Sequence, residues 1–179
     1  MIVMKPASTT RSVLGTIAVS IVLHAAFTVG VPLALFRLTS GWRGVSIDLG
    51  NWRWLGAPTV AAGAWCYAWS LCRLLRIRTS ALPGLTPLAL ETKGLYAYVR
   101  HPLLLGVVLI LVGEAVIAQS LALAMYAASY WLALDRFVAM SEERDLHRVF
   151  SDRYAQYCRD VPRWLPRLRR PRGGSSKAF

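Results

Sequence analysis

Gly94-Leu95-Tyr96-Ala97-Tyr98-Val99-Arg100-His101-Pro102-Leu103-Leu104-Leu105-Gly106 decides what kind of protein this is. The stretch joins a basic, polar segment to a long apolar one, with Arg100 and His101 at the boundary. Proline suits the first position of a helix, where its missing N–H would have no partner anyway. A helix is therefore expected to begin at Pro102 and enter apolar surroundings. Its open N–H groups and positive dipole end lie beside Arg100 and His101, which makes the site suitable for an anion.

The rest of the chain agrees with an apolar environment. Its 179 residues are 55% hydrophobic, and mean hydropathy is positive. That is unusual for a small soluble domain. The formal charge is +12, yet the 21 Lys and Arg residues flank long apolar runs instead of lying on one soluble face. This distribution argues for a membrane protein and against a nucleic-acid partner. The cysteines, Cys66, Cys72 and Cys158, are odd in number and lack zinc-ligand spacing, so all three are read as unbridged. Only three histidines exist and they are scattered, so no metal site is expected.

Outward from Pro102, the chain is almost continuously apolar to Leu134, interrupted by Glu114, Gln119 and Ser120. One helix over that length would measure about 50 Å, against a hydrocarbon core of ~30 Å. A tight hairpin near Gln119-Ser120 is expected instead, with a third span at 102–118 and a fourth at 121–140. Val13 to Phe36 forms a first, uncharged span that is too long for the apolar core of a cleavable signal. Trp54 to Cys72 forms a second, flanked by Trp42 and Trp52 at interfacial depth. Residues 73–101 form a long connection broken by Pro83, Gly84 and Pro87, in which Leu85 to Leu90 is apolar but too short to cross. Beyond 141, Leu146, Phe150, Tyr154 and Tyr157 recur at helical spacing and mark one apolar face, which stops before Pro162. Residues 167–179 read as a disordered basic tail. The fold class is an all-α integral membrane protein of four transmembrane helices with a C-terminal cytoplasmic amphipathic helix. It divides at 1–80, 81–166 and 167–179.

Several residues are candidates for chemistry. Arg100-His101-Pro102 has a plain alternative as an interfacial anchor and helix start. Glu142 and Glu143 are adjacent helix positions about 100° apart, so only one easily faces a given site. Their plain alternative is a solvated face, with Glu143 reaching His147 and Asp145 reaching Arg148. Glu114 lies within a span and far from the others, so it is read as structural, protonated or bonded within the hairpin. His24 is read as a packed histidine.

In combination these features are much more specific. The chain resembles the integral-membrane methyltransferases related to isoprenylcysteine carboxyl methyltransferase and the phospholipid N-methyltransferases. The resemblance covers roughly residues 90–166. It rests on Thr92, Gly94, Tyr96, Arg100-His101-Pro102, Gly106, Glu142-Glu143, Leu146, Phe150, Tyr154, Tyr157, Val161-Pro162-Arg163 and Pro166. It departs at Leu104, where that family usually has Tyr, and at Ser151, where it usually has Gly.

The resemblance implies an S-adenosylmethionine pocket on the cytoplasmic side and a lipid-like or prenylated acceptor arriving from the bilayer. Arg100, His101, Glu142 and Glu143 would be catalytic. Tyr96, Arg100, His101, Pro102, Gly106, Glu142, Glu143, Tyr154, Tyr157 and Arg163 would hold the cofactor. Arg100 and the helix start suit its carboxylate, a glutamate its ammonium, and Tyr154 or Tyr157 its adenine or sulfonium. Gly106 would leave room for an acyl or prenyl chain. Two other classes compete. A non-catalytic membrane protein could hold anionic lipids or a partner through its basic tail, but that leaves Glu142-Glu143 unexplained. A transporter fragment is disfavoured by the lack of an internal repeat.

Topology follows from charge. With four spans, one side carries Lys5, Arg11, five basic residues in 73–101 and ten in 141–179, against Arg37, Arg43 and Arg53 opposite. Both termini are therefore expected in the cytoplasm, at a prokaryotic cytoplasmic membrane. Cysteines introduced at Ser46 and Ser175 should respond differently to an impermeant thiol reagent on intact cells. Labelling only at Ser46 is expected; labelling only at Ser175 reverses the orientation, and labelling at both breaks the four-span count.

Overall fold

The computed structural model describes residues 22–40, 46–77 and 90–166, with the side chains of 75–77 excepted. The start of the first span, most of the Pro-Gly connection and the basic tail lie outside the described residues. Within them the chain is helical. Helix α1 is Val22–Thr39, α2 is Gly56–Ile77, α3 is Pro102–Ala118, α4 is Leu121–Phe137 and α5 is Glu143–Asp160. Short 3-10 turns occupy Gly50–Leu55 and Gly94–Ala97, and a π-helical turn at Val138–Glu142 joins α4 to α5.

The hairpin forms where the sequence expects it. Helix α3 begins at Pro102 and ends at Gln119, which adopts the left-handed conformation (φ 52, ψ 37). That residue type tolerates such a turn poorly, and the turn is held by Ile47 N–H donating to the Gln119 carbonyl at 2.8 Å. Ser120 then caps α4 by accepting from the Leu123 N–H at 3.4 Å. The span boundaries differ from expectation in two places. The second helix starts at Gly56 and runs on to Ile77. The fourth is α-helical only to Phe137 and passes through the π turn into α5 without a loop. Among the described residues one helix, Val22–Thr39, is both long and apolar enough to cross a bilayer, while Pro102–Ala118 is apolar but 17 residues long.

Antiparallel packing of α2 on α3 rests on glycine. A side-chain carbon added at Gly63 would meet the Gly106 carbonyl oxygen at 2.7 Å, and one at Gly106 would meet the Gly63 oxygen at 2.7 Å. Seven residues on, Gly56 opposes Gly113, whose oxygen would lie at 2.5 Å. Small residues let membrane helices approach until their backbones touch, where dispersion between them is greatest. Gly106 is therefore buried against α2 and offers no passage for an acyl chain, which corrects the expectation drawn from the sequence.

Helix α1 is fixed by a backbone defect. In the π register of Ala26–Gly30, the Val31 N–H bonds to the Ala26 carbonyl. The next carbonyl, Phe27, would look to residue 32, which is proline and has no N–H. Tyr126 on α4 supplies the missing donor, its hydroxyl lying 2.8 Å from the Phe27 oxygen. His24, expected to be packed, is half-buried with its ring 5.8 Å from that of Tyr67.

The amphipathic face of α5 assembles as expected. Tyr154, Tyr157 and Val161 form a buried cluster with Leu90, Leu146, Phe150 and Cys158 around it. The helix bends at Ser151, an exposed residue with φ 42 and ψ −115. A left-handed backbone there costs an L-residue ~1–2 kcal/mol, and glycine escapes that cost. Ser151→Gly should therefore raise stability by about 1 kcal/mol, whereas Gly106→Leu should lower it by roughly 1–3 kcal/mol through backbone overlap. Thermal unfolding of the two variants in detergent, beside wild type, reads both signs.

Candidate functional site

The N-terminus of α3 is uncapped. His101 sits at the cap position with φ −122 and ψ 64, and makes no side-chain capping bond. Leu105 N–H bonds to the His101 carbonyl at 3.0 Å, so the preceding amides of Leu103 and Leu104 have no intrahelical acceptor. The segment before it is tied down from several sides. Gly94 adopts φ +65 directly beneath the Trp69 ring, so any side chain there would both strain the backbone and collide with the indole. Tyr157 donates its hydroxyl to the Tyr96 carbonyl at 2.7 Å, and Arg100 N–H bonds to the Pro162 carbonyl at 2.9 Å. Glu91 receives Arg73 at 3.1 Å and the Lys93 N–H at 2.7 Å.

Glu143 is the centre of the charged cluster. Its Oε1 accepts from Arg100 Nη1 at 2.7 Å and Arg163 Nε at 3.0 Å, and its Oε2 accepts from Arg163 Nη2 at 2.6 Å. Arg163 Nη1 continues to Asp135 at 2.8 Å, and Trp164 Nε1 shares that carboxylate oxygen at 2.7 Å. Arg100 Nη1 also lies 3.2 Å from Cys158 Sγ. His101 stands between the two glutamates, with Nε2 3.5 Å from Glu143 and Nδ1 3.6 Å from Glu142. At those separations the contacts are longer than ordinary hydrogen bonds.

Burial by itself would raise the pKa of Glu143, but His101, Arg163 and Arg100 outweigh it and pull the carboxyl down to about 2. Burial works to keep His101 neutral, yet Glu142 and Glu143 prevail and its pKa is raised.

The two adjacent glutamates thus divide their roles. Glu143 is buried and fully engaged, while the Glu142 side chain is 42% exposed. Of the plain alternatives, Asp145 does pair with Arg148 at 3.5 Å on the exposed face, but Glu143 turns inward to the arginines. Tyr157 and Tyr96 belong to the buried framework around the cluster, not to an open face. Pro102 is buried too, and its carbonyl accepts from Cys66 Sγ at 3.1 Å. Glu114 is half-buried in α3 and its Oε2 has no partner, so that oxygen is not bonded within the hairpin.

Three buried polar atoms around the cluster lack any hydrogen-bond partner: Arg100 Nε, His101 Nε2 and the Tyr154 hydroxyl. Tyr154 is fully buried, with the His147 ring edge-on at 4.7 Å. Such atoms are costly unless something fills their valence.

Sequence reasoning missed Asp135, Cys158 and Trp164. For Asp135 a signal existed, since it is an ionisable residue inside an apolar run. Trp164 and Cys158 carry no comparable signal, because only folding brings the C-terminal segment back to α3.

Glu143 makes stability depend on pH. Its folded pKa lies below the ordinary carboxylate value, so the unfolded chain binds protons more readily as pH falls. The stabilisation, about 3 kcal/mol for a shift from 4.5 to about 2, is complete above pH ~5 and lost between ~4.5 and 2. Glu143→Gln should abolish that acid limb of the unfolding profile. An unchanged limb in the variant would show that another carboxylate carries it.

A family model described as phospholipid methyltransferase matches residues 52–153, more than half of the chain. No curated protein and no solved structure matches it.

Proposed function

Because this chain belongs to the phospholipid methyltransferase family, we propose that it transfers a methyl group from S-adenosylmethionine to a lipid-like acceptor at the cytoplasmic membrane face. The observation that carries this reading is the trio of unpartnered polar atoms, Arg100 Nε, His101 Nε2 and Tyr154 Oη, beside an uncapped helix N-terminus. A zwitterionic sulfonium ligand suits that set. S-adenosylmethionine supplies an electrophilic methyl group.

The residues divide the work by what each has left to offer. Arg100 Nε and the amides of Leu103 and Leu104 suit the cofactor's carboxylate. Glu142, half-exposed and lightly engaged, suits its ammonium. Glu143 orients Arg100 and Arg163 and balances their charge. Tyr154 offers a hydroxyl at the base of the site and Tyr157 holds the Tyr96 segment in place. A carboxylate or thiolate acceptor needs no base, whereas a lipid ammonium must first lose a proton. His101 in its neutral form, or the half-exposed Glu142, would take it. Positioning and exclusion of water would provide most of the catalysis.

The membrane arrangement belongs to the same proposal. Four spans with both termini cytoplasmic place Arg100, Glu142 and the C-terminal segment in one compartment. Support comes from the apolar α1 and α3 and from the asymmetric Lys/Arg distribution. A protein that only binds anionic lipid leaves the three orphan atoms unexplained.

Calorimetry with S-adenosylmethionine on the purified protein tests the assignment. Arg100→Ala should weaken binding by roughly 1.5–3 kcal/mol, the range for a lost charge-assisted hydrogen bond. Glu142→Gln should weaken binding without moving the unfolding temperature, while Glu143→Gln should lower both. Wild-type affinity in Arg100→Ala and Glu142→Gln alike would reject the pocket.

A further inference from the structure

Asp135, near the end of α4, gathers two consecutive residues of the returning C-terminal segment. Its Oδ1 accepts from Arg163 Nη1 at 2.8 Å and from Trp164 Nε1 at 2.7 Å. Arg163 does not need this second carboxylate to balance its charge, because Glu143 already takes its Nε and Nη2 at 3.0 and 2.6 Å. The indole of Trp164 has a single N–H to give, and Asp135 receives it. That bond fixes the direction of the ring. Residues 161–166 form neither helix nor strand, and the Arg100 N–H bond to the Pro162 carbonyl holds only their backbone. Leu165, the next residue, is exposed. A tryptophan on such a segment could equally swing outward. Instead its ring lies 6.4 Å from that of His101 and meets Trp131 edge-on at 6.2 Å. His101 is 5% exposed beside it, although the neighbouring Glu142 side chain is open to solvent.

We propose that Asp135 is a positioning residue: it clamps the Trp164 ring over His101 and thereby keeps water from the reacting side of the site. The inference rests on the methyl-transfer reading for what the cover protects, whereas the clamp stands on the bonds alone. Asp135 precedes Glu142 by about 10 Å of helix, and its Oδ1 already accepts two bonds, so it acts through Trp164. Water at His101 would screen Arg100, Glu142 and Glu143, the charges that orient a charged ligand; a covered site keeps them strong. The competing role is a plain surface ion pair. The Asp135 and Arg163 side chains are both partly exposed, and such pairs contribute little. The two roles differ in which part of Asp135 matters, its charge toward Arg163 or its acceptor for Trp164.

Substitution separates them. Asp135→Asn loses the charge but keeps an oxygen that can accept from Trp164, so it should behave as wild type. Asp135→Ala loses the acceptor, and Trp164→Phe loses the donor. In both, methyl transfer from labelled S-adenosylmethionine to a membrane-lipid extract should slow at least about tenfold, the order expected when a site loses its positioning. Cofactor affinity should hold, since neither residue is assigned a contact with it. Because each single change breaks the same bond, the Asp135→Ala/Trp164→Phe double variant should be no slower than either alone. A merely structural role predicts additive losses that follow the unfolding temperature.

A second measurement does not depend on catalysis. Diethyl pyrocarbonate acylates an accessible neutral imidazole, and peptide mass spectrometry of the full-length protein in vesicles reads each histidine separately. His101 should react slowly in wild type and Asp135→Asn, and several-fold faster in Asp135→Ala and Trp164→Phe. The exposed His147 should react alike in all of them and serves as the reference. Equal protection of His101 in all four proteins would overturn the proposal. So would an Asp135→Asn as impaired as Asp135→Ala, or additive losses in the double variant. Uncovering of His101 as expected, with no methyl transfer by wild type to any lipid of the extract, would support the clamp and count against the methyl-transfer reading alone.

Discussion

A single carboxylate holds this structure's chemistry together. Glu143 is buried at the point where α4 turns into α5, yet it stays ionised because Arg100, Arg163 and His101 surround it. The partners come from two places in the chain: Arg100 and His101 from the start of α3, and Arg163 from the segment after α5. Removing one member of such a buried set leaves an uncompensated charge and typically costs 3–5 kcal/mol. The carboxylate therefore acts as a knot, closing a loop of chain between Arg100 and Arg163. With the knot closed, the C-terminal segment lies against α3, and Trp164 is delivered to both His101 and Trp131.

The glycine contacts and the π turn serve that knot from the apolar side. Close approach of α2 to α3 at Gly63 and Gly106 holds α3 in place, with Pro102 tied to α2 through Cys66. The π register of α1 would leave the Phe27 carbonyl without a donor, and Tyr126 repairs it across to α4. Both devices hold the helices together by backbone contact and specific hydrogen bonds. They leave the seam between α3 and α4 lined by alanine and valine.

Much of this was legible from local chemistry. Proline at 102 announces a helix start because it lacks an N–H, and the polar Gln119-Ser120 pair interrupts an apolar run too long for one helix. The spacing of Leu146, Phe150, Tyr154 and Tyr157 announces a single face, and that face is the one buried in α5. Ser151 stood out only through the family resemblance, in which glycine is usual there; its positive φ belongs to the structure.

What the sequence determined by itself, then, was every feature that depends on neighbours along the chain: helix starts, the hairpin, the amphipathic face and the grouping of Arg100, His101, Glu142 and Glu143 near one end of the helices. Tertiary structure alone decided how those residues differ. Two adjacent glutamates look alike in sequence, but only Glu143 meets both arginines, because burial and pairing act through space over distances of a few ångströms. Likewise Gly106 could mean passage or close packing until α2 was seen against it. Asp135, Cys158 and Trp164 join the site only when the segment after α5 folds back, a contact between residues far apart in the chain that no local pattern encodes.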